Sequence, residues 1–157
     1  AYASRTALVG GTHTVRFSER LELASTLYAT GSVVHTPFLV DIERNTLLGG
    51  GGRVVARYRT ALAGRTLRLQ AGAESQTGFE NSRNYQNRGG TPGPLRYDDE
   101  IRTRTGFTFA QADYELPAHL LLTVGASYNR LRYRISRVSD AAARPQGYAL
   151  RRDFRPQ

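Results

Sequence analysis

The sequence predicts an all-β protein, an antiparallel up-and-down meander of about six to seven strands with the pattern of a transmembrane β-barrel. Three observations carry this. Apolar residues recur with period two at least six times, and no segment of useful length has the i, i+3, i+4, i+7 spacing of an amphipathic helix. Tight turns alternate with long connections. The apolar positions also lie on one face of each strand while the other face is rich in charge.

The predicted strands, in order, are Thr6 to Phe17, Leu21 to Thr30, Arg53 to Leu62, Thr66 to Glu74, Arg104 to Leu116 and Leu120 to Ser136, with a weaker seventh over Tyr148 to Phe154. Ser-Glu-Arg joins the first pair, Ala-Gly-Arg-Thr the second and Pro-Ala-His the third, all short enough for hairpins. The alternate connections run from Gly31 to Gly52, from Ser75 to Thr103 and around SDAAARPQG. Structureless stretches of that length are uncommon in a compact soluble domain. An outer-membrane barrel, by contrast, has short turns at one end and long loops at the other.

In the third strand Val54, Ala56, Tyr58 and Leu62 fall on one face, and Arg53, Arg57 and Arg59 on the other; in the fourth, Leu67, Leu69, Ala71 and Ala73 oppose Arg68, Gln70, Gly72 and Glu74. A soluble sandwich and a membrane barrel both fit this alternation. Length favours the barrel. Leu120 to Tyr128, tilted by roughly 45° at about 3.3 Å per residue, rises about 21 Å, close to the height of an outer membrane's apolar band. Past Tyr128 the apolar phase moves to the odd positions Leu131, Tyr133 and Ile135, and the preceding strand changes phase between Phe107/Phe109 and Ala112/Tyr114/Leu116. A bulge or a change of surroundings accounts for such a switch.

Of the 157 residues, 39% are hydrophobic, and the longest purely apolar stretches are four or five residues, far short of a membrane helix. Cysteine is absent, so disulfides, thiolate catalysis and cysteine zinc sites are excluded. The basic residues are all Arg and the formal charge is +9, a balance that favours anionic partners. His13, His35 and His119 lack metal-ligand spacing, no G-x-S-x-G elbow is present, and no catalytic residue, metal site or cofactor is expected. The run LLGGGGR, Leu47 to Arg53, lacks the G-K-[ST] ending of a phosphate loop and is expected to be a flexible loop.

The unit FAQADYELPAHLLLTVGASYNRLRY, Phe109 to Tyr133, resembles the recurrent strand-turn-strand pattern of TonB-dependent outer-membrane receptor barrels, at Phe109, Gln111, Asp113, Tyr114, Gly125, Tyr128 and Asn129. LQAGAESQTGFENSRNYQNRGG is similar to the family strand that enters a long extracellular loop, and RRDFRPQ resembles the segment before the next barrel strand. The resemblance covers most of the chain from about Arg53 and, more weakly, the first 30 residues. It implies a 22-stranded barrel with a plug domain and a TonB-engaging segment, neither of which is visible here, nor is a signal peptide or the terminal aromatic that closes such barrels. Residues 1–157 are accordingly expected to be an internal piece of a longer receptor in the outer membrane of a Gram-negative bacterium.

What the resemblance implies for function is active uptake of a ferric siderophore or similar iron chelate. Ligand binds at extracellular loops and plug apex, and energy from the inner membrane arrives through TonB. The partners are then outer-membrane lipid, TonB by way of a plug segment outside this chain, and a small anionic or iron-chelate ligand, with no nucleic acid and no enzyme activity. The candidate ligand-binding residues are Arg83, Tyr85, Gln86, Arg88, Arg96 and Tyr97 in the long loop, where guanidinium forks and flat phenol rings suit carboxylate or catecholate oxygens. The candidate lumen residues are Arg53, Arg57, Arg59 and Arg68. Two other classes fit the same strands: a soluble basic β domain that binds single-stranded nucleic acid through Arg and aromatic rings, and a non-TonB barrel such as a porin or adhesin.

Overall fold

The computed structural model describes residues 1–140 and 149–154. Seven strands follow one another in a single antiparallel sheet, in sequence order: β1 (Ala3–Arg16), β2 (Leu21–Pro37), β3 (Asp41–Leu62), β4 (Arg65–Arg88), β5 (Thr91–Glu115), β6 (Leu121–Asp140) and β7 (Ala149–Phe154). β1 and β7 are the two edges and do not pair with each other.

All three tight turns of the sequence are present. Ala63 and Gly64 form a two-residue hairpin turn with φ of 49° and 74°, the left-handed pair that matches strand twist. Ser18 Oγ accepts hydrogen bonds from the amides of Arg20 and Leu21. At Pro117–His119, Ala118 and His119 adopt φ of 58° and 60° so that the Leu116 amide reaches the Leu120 carbonyl at 2.9 Å.

Two of the three long connections are not loops. β2 and β3 continue to Pro37 and from Asp41, leaving only Phe38–Val40 as a turn, and β4 and β5 continue to Arg88 and from Thr91, leaving Gly89–Gly90. The alternation read in the sequence is therefore one of hairpin height: β4 alone has 24 residues, where a tilted span of the apolar band needs roughly 10. The third connection, around SDAAARPQG, lies outside the described residues, as do Tyr148 and the closing Arg155 to Gln157; β7 accounts for the remainder of the weak seventh strand.

The Gly49–Gly52 run is correspondingly strand and not flexible loop, paired on both sides. Neighbouring side chains occupy the space that its own side chains would fill: a Cβ on Gly51 would meet the Tyr28 hydroxyl at 2.7 Å.

Pairing fixes the faces. One face carries Val15, Leu21, Leu23, Val54, Tyr58, Leu69, Ala71, Ala110, Tyr114, Leu122, Val124 and Tyr128; the other carries Arg16, Glu22, Arg53, Arg57, Arg68, Gln70, Glu74, Asp113 and Glu115. Coverage is the reverse of a water-soluble sheet. Along Leu69–Ser75 and Ile101–Ala110 the polar face is the shielded one and the apolar face the open one. Val124 is 62% exposed and Leu27 71%, whereas among described residues only Ile42 and Val55 are buried hydrophobics. With so little apolar core, this sheet is not stabilised in water by its own packing.

The pairing of β5 with β6 runs without interruption from Glu115/Leu121 to Asp99/Arg137. No bulge accompanies the phase switch, so it is the surroundings of the strand that change, not its backbone.

Candidate functional site

At the turn end the polar face holds a recess of roughly 660 Å³ lined by Arg16, Glu22, Arg57, Arg59, Arg68 and Asp113. Cross-strand register builds it. Arg16, Glu22 and Arg57 stand in one row of β1, β2 and β3, and Glu22 bridges both arginines, at 3.2 Å and 2.8 Å. Arg68 reaches Glu115 at 2.8 Å, while Asp113 takes hydrogen bonds from Thr123 and Gln111. All four arginines expected to share this face do so. Arg57, which shares Glu22 with Arg16, and Arg68 are ion-paired within the wall itself, and Arg53 lies over the Phe109 ring, 5.7 Å from its centroid. Phe109 in turn stacks on Phe107 and fills the space over Gly72, where a Cβ would sit 2.5 Å from the ring. Arg59 stands directly opposite Arg68 and forms no ion pair among the described residues.

The distal hairpins hold the other candidates, which lie on strands instead of in a loop, and the register divides them between the faces. Arg83 and Tyr85 lie on the continuation of the apolar face. There Arg83 donates to Asp98 at 3.0 Å, Asn81 donates to the same carboxylate, and Arg44 covers the Tyr85 ring at 5.7 Å. The Asp98 hydrogen bond is the main cause that raises the Arg83 pKa. Gln86 and Tyr97 are on the polar face, opposite Asp41 and Asn84. Arg96, the extra residue where the β4–β5 register slips, reaches Asp41 at 3.6 Å. Arg88 lies at the tip, its side chain over Gly93.

Tyr97 is the centre of the inward group. Arg137 lies 4.9 Å above its ring and grips Asp99 with two nitrogens, at 2.6 Å and 3.0 Å. Burial, and then the carboxylates of Glu43, Asp41 and Asp99, raise the Tyr97 hydroxyl above its usual 10, with Arg137 opposing. Asn84 is 2% exposed, and its Oδ1 has no hydrogen-bond partner among the described residues. Asp41, Glu43, Asn84 and Arg137 were not evident from sequence, because strand extension past Gly31 and Ser75 was hidden in polar, glycine-rich stretches. The signal that would have found them is the Gly89-Gly90 pair, a hairpin turn in its own right.

Asn87 ties the two distal tips together. Its amide and Nδ2 donate to the Val40 and Phe38 carbonyls, at 3.1 Å and 2.7 Å, and its Oδ1 accepts from the Gly90 amide.

An open antiparallel sheet whose lower half is uncharged on the exposed face and ionic on the shielded face has the pattern of a membrane-barrel wall. Solved structures of a transporter and of two receptors share this fold. Across 99% of this chain it superposes on unliganded ferric citrate transporter FecA, with a TM-score of 0.86 at 9% identity. Over the same share it matches the alcaligin outer-membrane receptor FauA from Bordetella pertussis, with a TM-score of 0.70 and 16% identity. BauA, the ferric preacinetobactin receptor from Acinetobacter baumannii, matches over 98%, with a TM-score of 0.63 and 9% identity. The chain spans about a quarter of the length of each, 24%, 24% and 27%. No family model and no curated protein matches it by sequence. The barrel fold that the sequence resemblance implies is thus the fold observed.

Proposed function

We propose that the chain is part of the barrel wall of a TonB-dependent outer-membrane receptor that takes up a ferric siderophore or similar iron chelate. The observation that carries this is the exposed, uncharged face. From Leu122 to Tyr128, Tyr114 to Gly106, Leu67 to Phe79 and Leu62 to Thr46 no residue on it carries a formal charge. Such a surface belongs against lipid, and it argues against a soluble domain that binds nucleic acid. Both edges of the sheet need further strands, since an unpaired backbone group in hydrocarbon costs several kcal/mol.

In this reading residues 1–157 are a piece of the barrel domain, the arginine recess lines the lumen, and the distal hairpins rise on the extracellular side. Arg96, Tyr97 and Gln86 face the vestibule there, where an anionic chelate would meet a guanidinium and a phenol. Ferric citrate, alcaligin and preacinetobactin are the ligands of the structural neighbours, and a carboxylate- or catecholate-rich chelate suits this group equally. The receptor's plug and its TonB contact lie in sequence outside this chain.

The test is uptake of radiolabelled ferric chelates by iron-starved cells that carry the full-length receptor. The expected result is saturable uptake that stops without TonB and weakens in Arg96→Ala/Tyr97→Ala. Unsaturable, TonB-independent permeation would favour a porin and contradict the proposal.

A further inference from the structure

The two distal tips gain little from their own closure. Phe38, Leu39 and Val40, at the end of the β2–β3 hairpin, are apolar yet 48%, 95% and 63% exposed, so burial hardly anchors them. Within that turn the Phe38 amide donates to the Asp41 carbonyl at 2.7 Å. The β4–β5 hairpin turns at Gly89–Gly90, with φ of 61° and 92°, where Thr91 Oγ1 donates to the Arg88 carbonyl at 2.6 Å.

Just below this second tip the β4–β5 register slips twice, between Asn84 and Tyr85 and again between Tyr85 and Asn87. β5 contributes Pro92 and Pro94 there, and neither has an amide hydrogen to donate. On its other side β4 is held without a slip: Gln86 lies opposite Asp41, and the Asn87 amide adds a bond to the Val40 carbonyl at 3.1 Å. At this height β4 is therefore held more firmly by β3 than by β5.

A single side-chain amide joins the two turns. Asn87 Oδ1 accepts from the Gly90 amide at 2.7 Å, inside its own hairpin, and Nδ2 donates to the Phe38 carbonyl at 2.7 Å, in the neighbouring one. The site needs an acceptor on one side and a donor on the other within one short planar group. A carboxylate would keep the first bond and set oxygen against oxygen at the second; a methyl group would lose both. One further tie crosses the same gap. Arg96 on β5 reaches Asp41 at 3.6 Å, with its side chain 49% exposed, and an ion pair of that kind contributes little and yields readily to another anion.

From this geometry we infer that Asn87 is a positioning residue, a clasp that keeps the β2–β3 and β4–β5 tips together as one body when Arg96 leaves Asp41 for an anionic ligand. The clasp follows from the hydrogen bonds; its part in ligand capture rests on the receptor function proposed above. With the tips held together, Gln86 and Tyr97 stay in place while Arg96 changes partner, and binding is spared the cost of ordering two separate hairpins.

The test measures distances by double electron–electron resonance between spin labels at Leu39→Cys and Arg88→Cys, in the full-length protein in nanodiscs with any other cysteines replaced. The wild type is expected to give one narrow distance, and Arg96→Ala to leave it narrow. Asn87→Asp and Asn87→Ala are each expected to raise the population of separated tips on the order of fivefold, the effect of one lost hydrogen bond, and Asn87→Asp/Arg96→Ala to raise it further. The thermal midpoint of the barrel is expected to be the same in all of them. A distribution that stays narrow in Asn87→Asp/Arg96→Ala, one that Arg96→Ala alone broadens as much as the double variant, or loss of the barrel fold in Asn87→Asp would overturn the inference. Distances that behave as expected in a protein with no TonB-dependent uptake of any ferric chelate would instead contradict the proposed function and leave the clasp standing.

Discussion

Within β6, Leu122, Val124, Ala126 and Tyr128 share a face with Arg130, Arg132 and Arg134, and nothing in the backbone separates the two groups. In the lower half that face is uncharged, while the opposite face offers Thr123, Gly125, Ser127 and Asn129. In the upper half the same face is arginine, and Leu131, Tyr133 and Ile135 have moved to the other side. One strand with one register thus carries two opposite patterns. Side-chain alternation records which solvent lies on each side, and on the proposed barrel-wall reading β6 passes from a layer with lipid outside to one with water outside.

This difference yields predictions of decreasing size. Val124→Arg places a charge in the middle of the uncharged band and is expected to cost about 2–4 kcal/mol of folding stability in bilayers. Ser127→Arg, on the other face at nearly the same height, is expected to cost under about 1 kcal/mol, and denaturant titration of the full-length barrel in vesicles compares them. Equal costs would remove the distinction between the faces.

The next effect is one of packing. Gly72→Val drives a side chain into the space held by the Phe109 ring and is expected to cost about 1–3 kcal/mol by the same titration. Gly106→Val, with nothing within 4 Å of its Cβ position, is expected to cost far less. A smaller change concerns the turn end. Ala63 holds φ of 49°, unfavourable for alanine, so Ala63→Asn, which completes an Asn-Gly turn, is expected to stabilise the hairpin by about 1 kcal/mol.

Least in size is a pH effect in the distal half. The raised Tyr97 pKa means that the folded state keeps its proton where an unfolded tyrosine has lost it. That contribution is complete below about pH 10 and is lost as pH rises through the higher folded-state value. Difference absorbance of tyrosinate between wild type and Tyr97→Phe is expected to give a midpoint above 10; a midpoint at or below 10 would contradict the burial of Tyr97 among carboxylates.

The same contrast explains what the sequence made legible. The lower halves of the strands could be read because one face is uncharged and the other polar, which gives strict alternation, and the turns at Ser18–Arg20, Ala63–Gly64 and Pro117–His119 punctuate it. The four arginines Arg53, Arg57, Arg59 and Arg68 fell on one face for the same reason. In the upper halves polar, charged and glycine residues occupy both faces, period two fades, and the paired strands over Ser75–Arg88 and Thr91–Thr103 looked like one long loop. The candidate residues there were read as loop and lie on strands, and the sequence assigned them to no face. Only the register separates Arg83 and Tyr85, which turn outward, from Gln86 and Tyr97, which turn inward. The β2–β3 tip was hidden differently, because Phe38-Leu39-Val40 reads as strand and not as a turn.

The central claim is that β6 leaves lipid just above Tyr128. This chain has no cysteine, so single cysteines at each position from Leu122 to Arg134 of the full-length protein can carry spin labels in vesicles, once any cysteines elsewhere are replaced. Accessibility to oxygen against a water-soluble nickel chelate then reads lipid or water at each site. The account predicts lipid at positions 122, 124, 126 and 128, water at 123, 125 and 127, and loss of lipid contact at 130, 132 and 134. Alternation that persists through 134, or that is absent from 122 to 128, would contradict it.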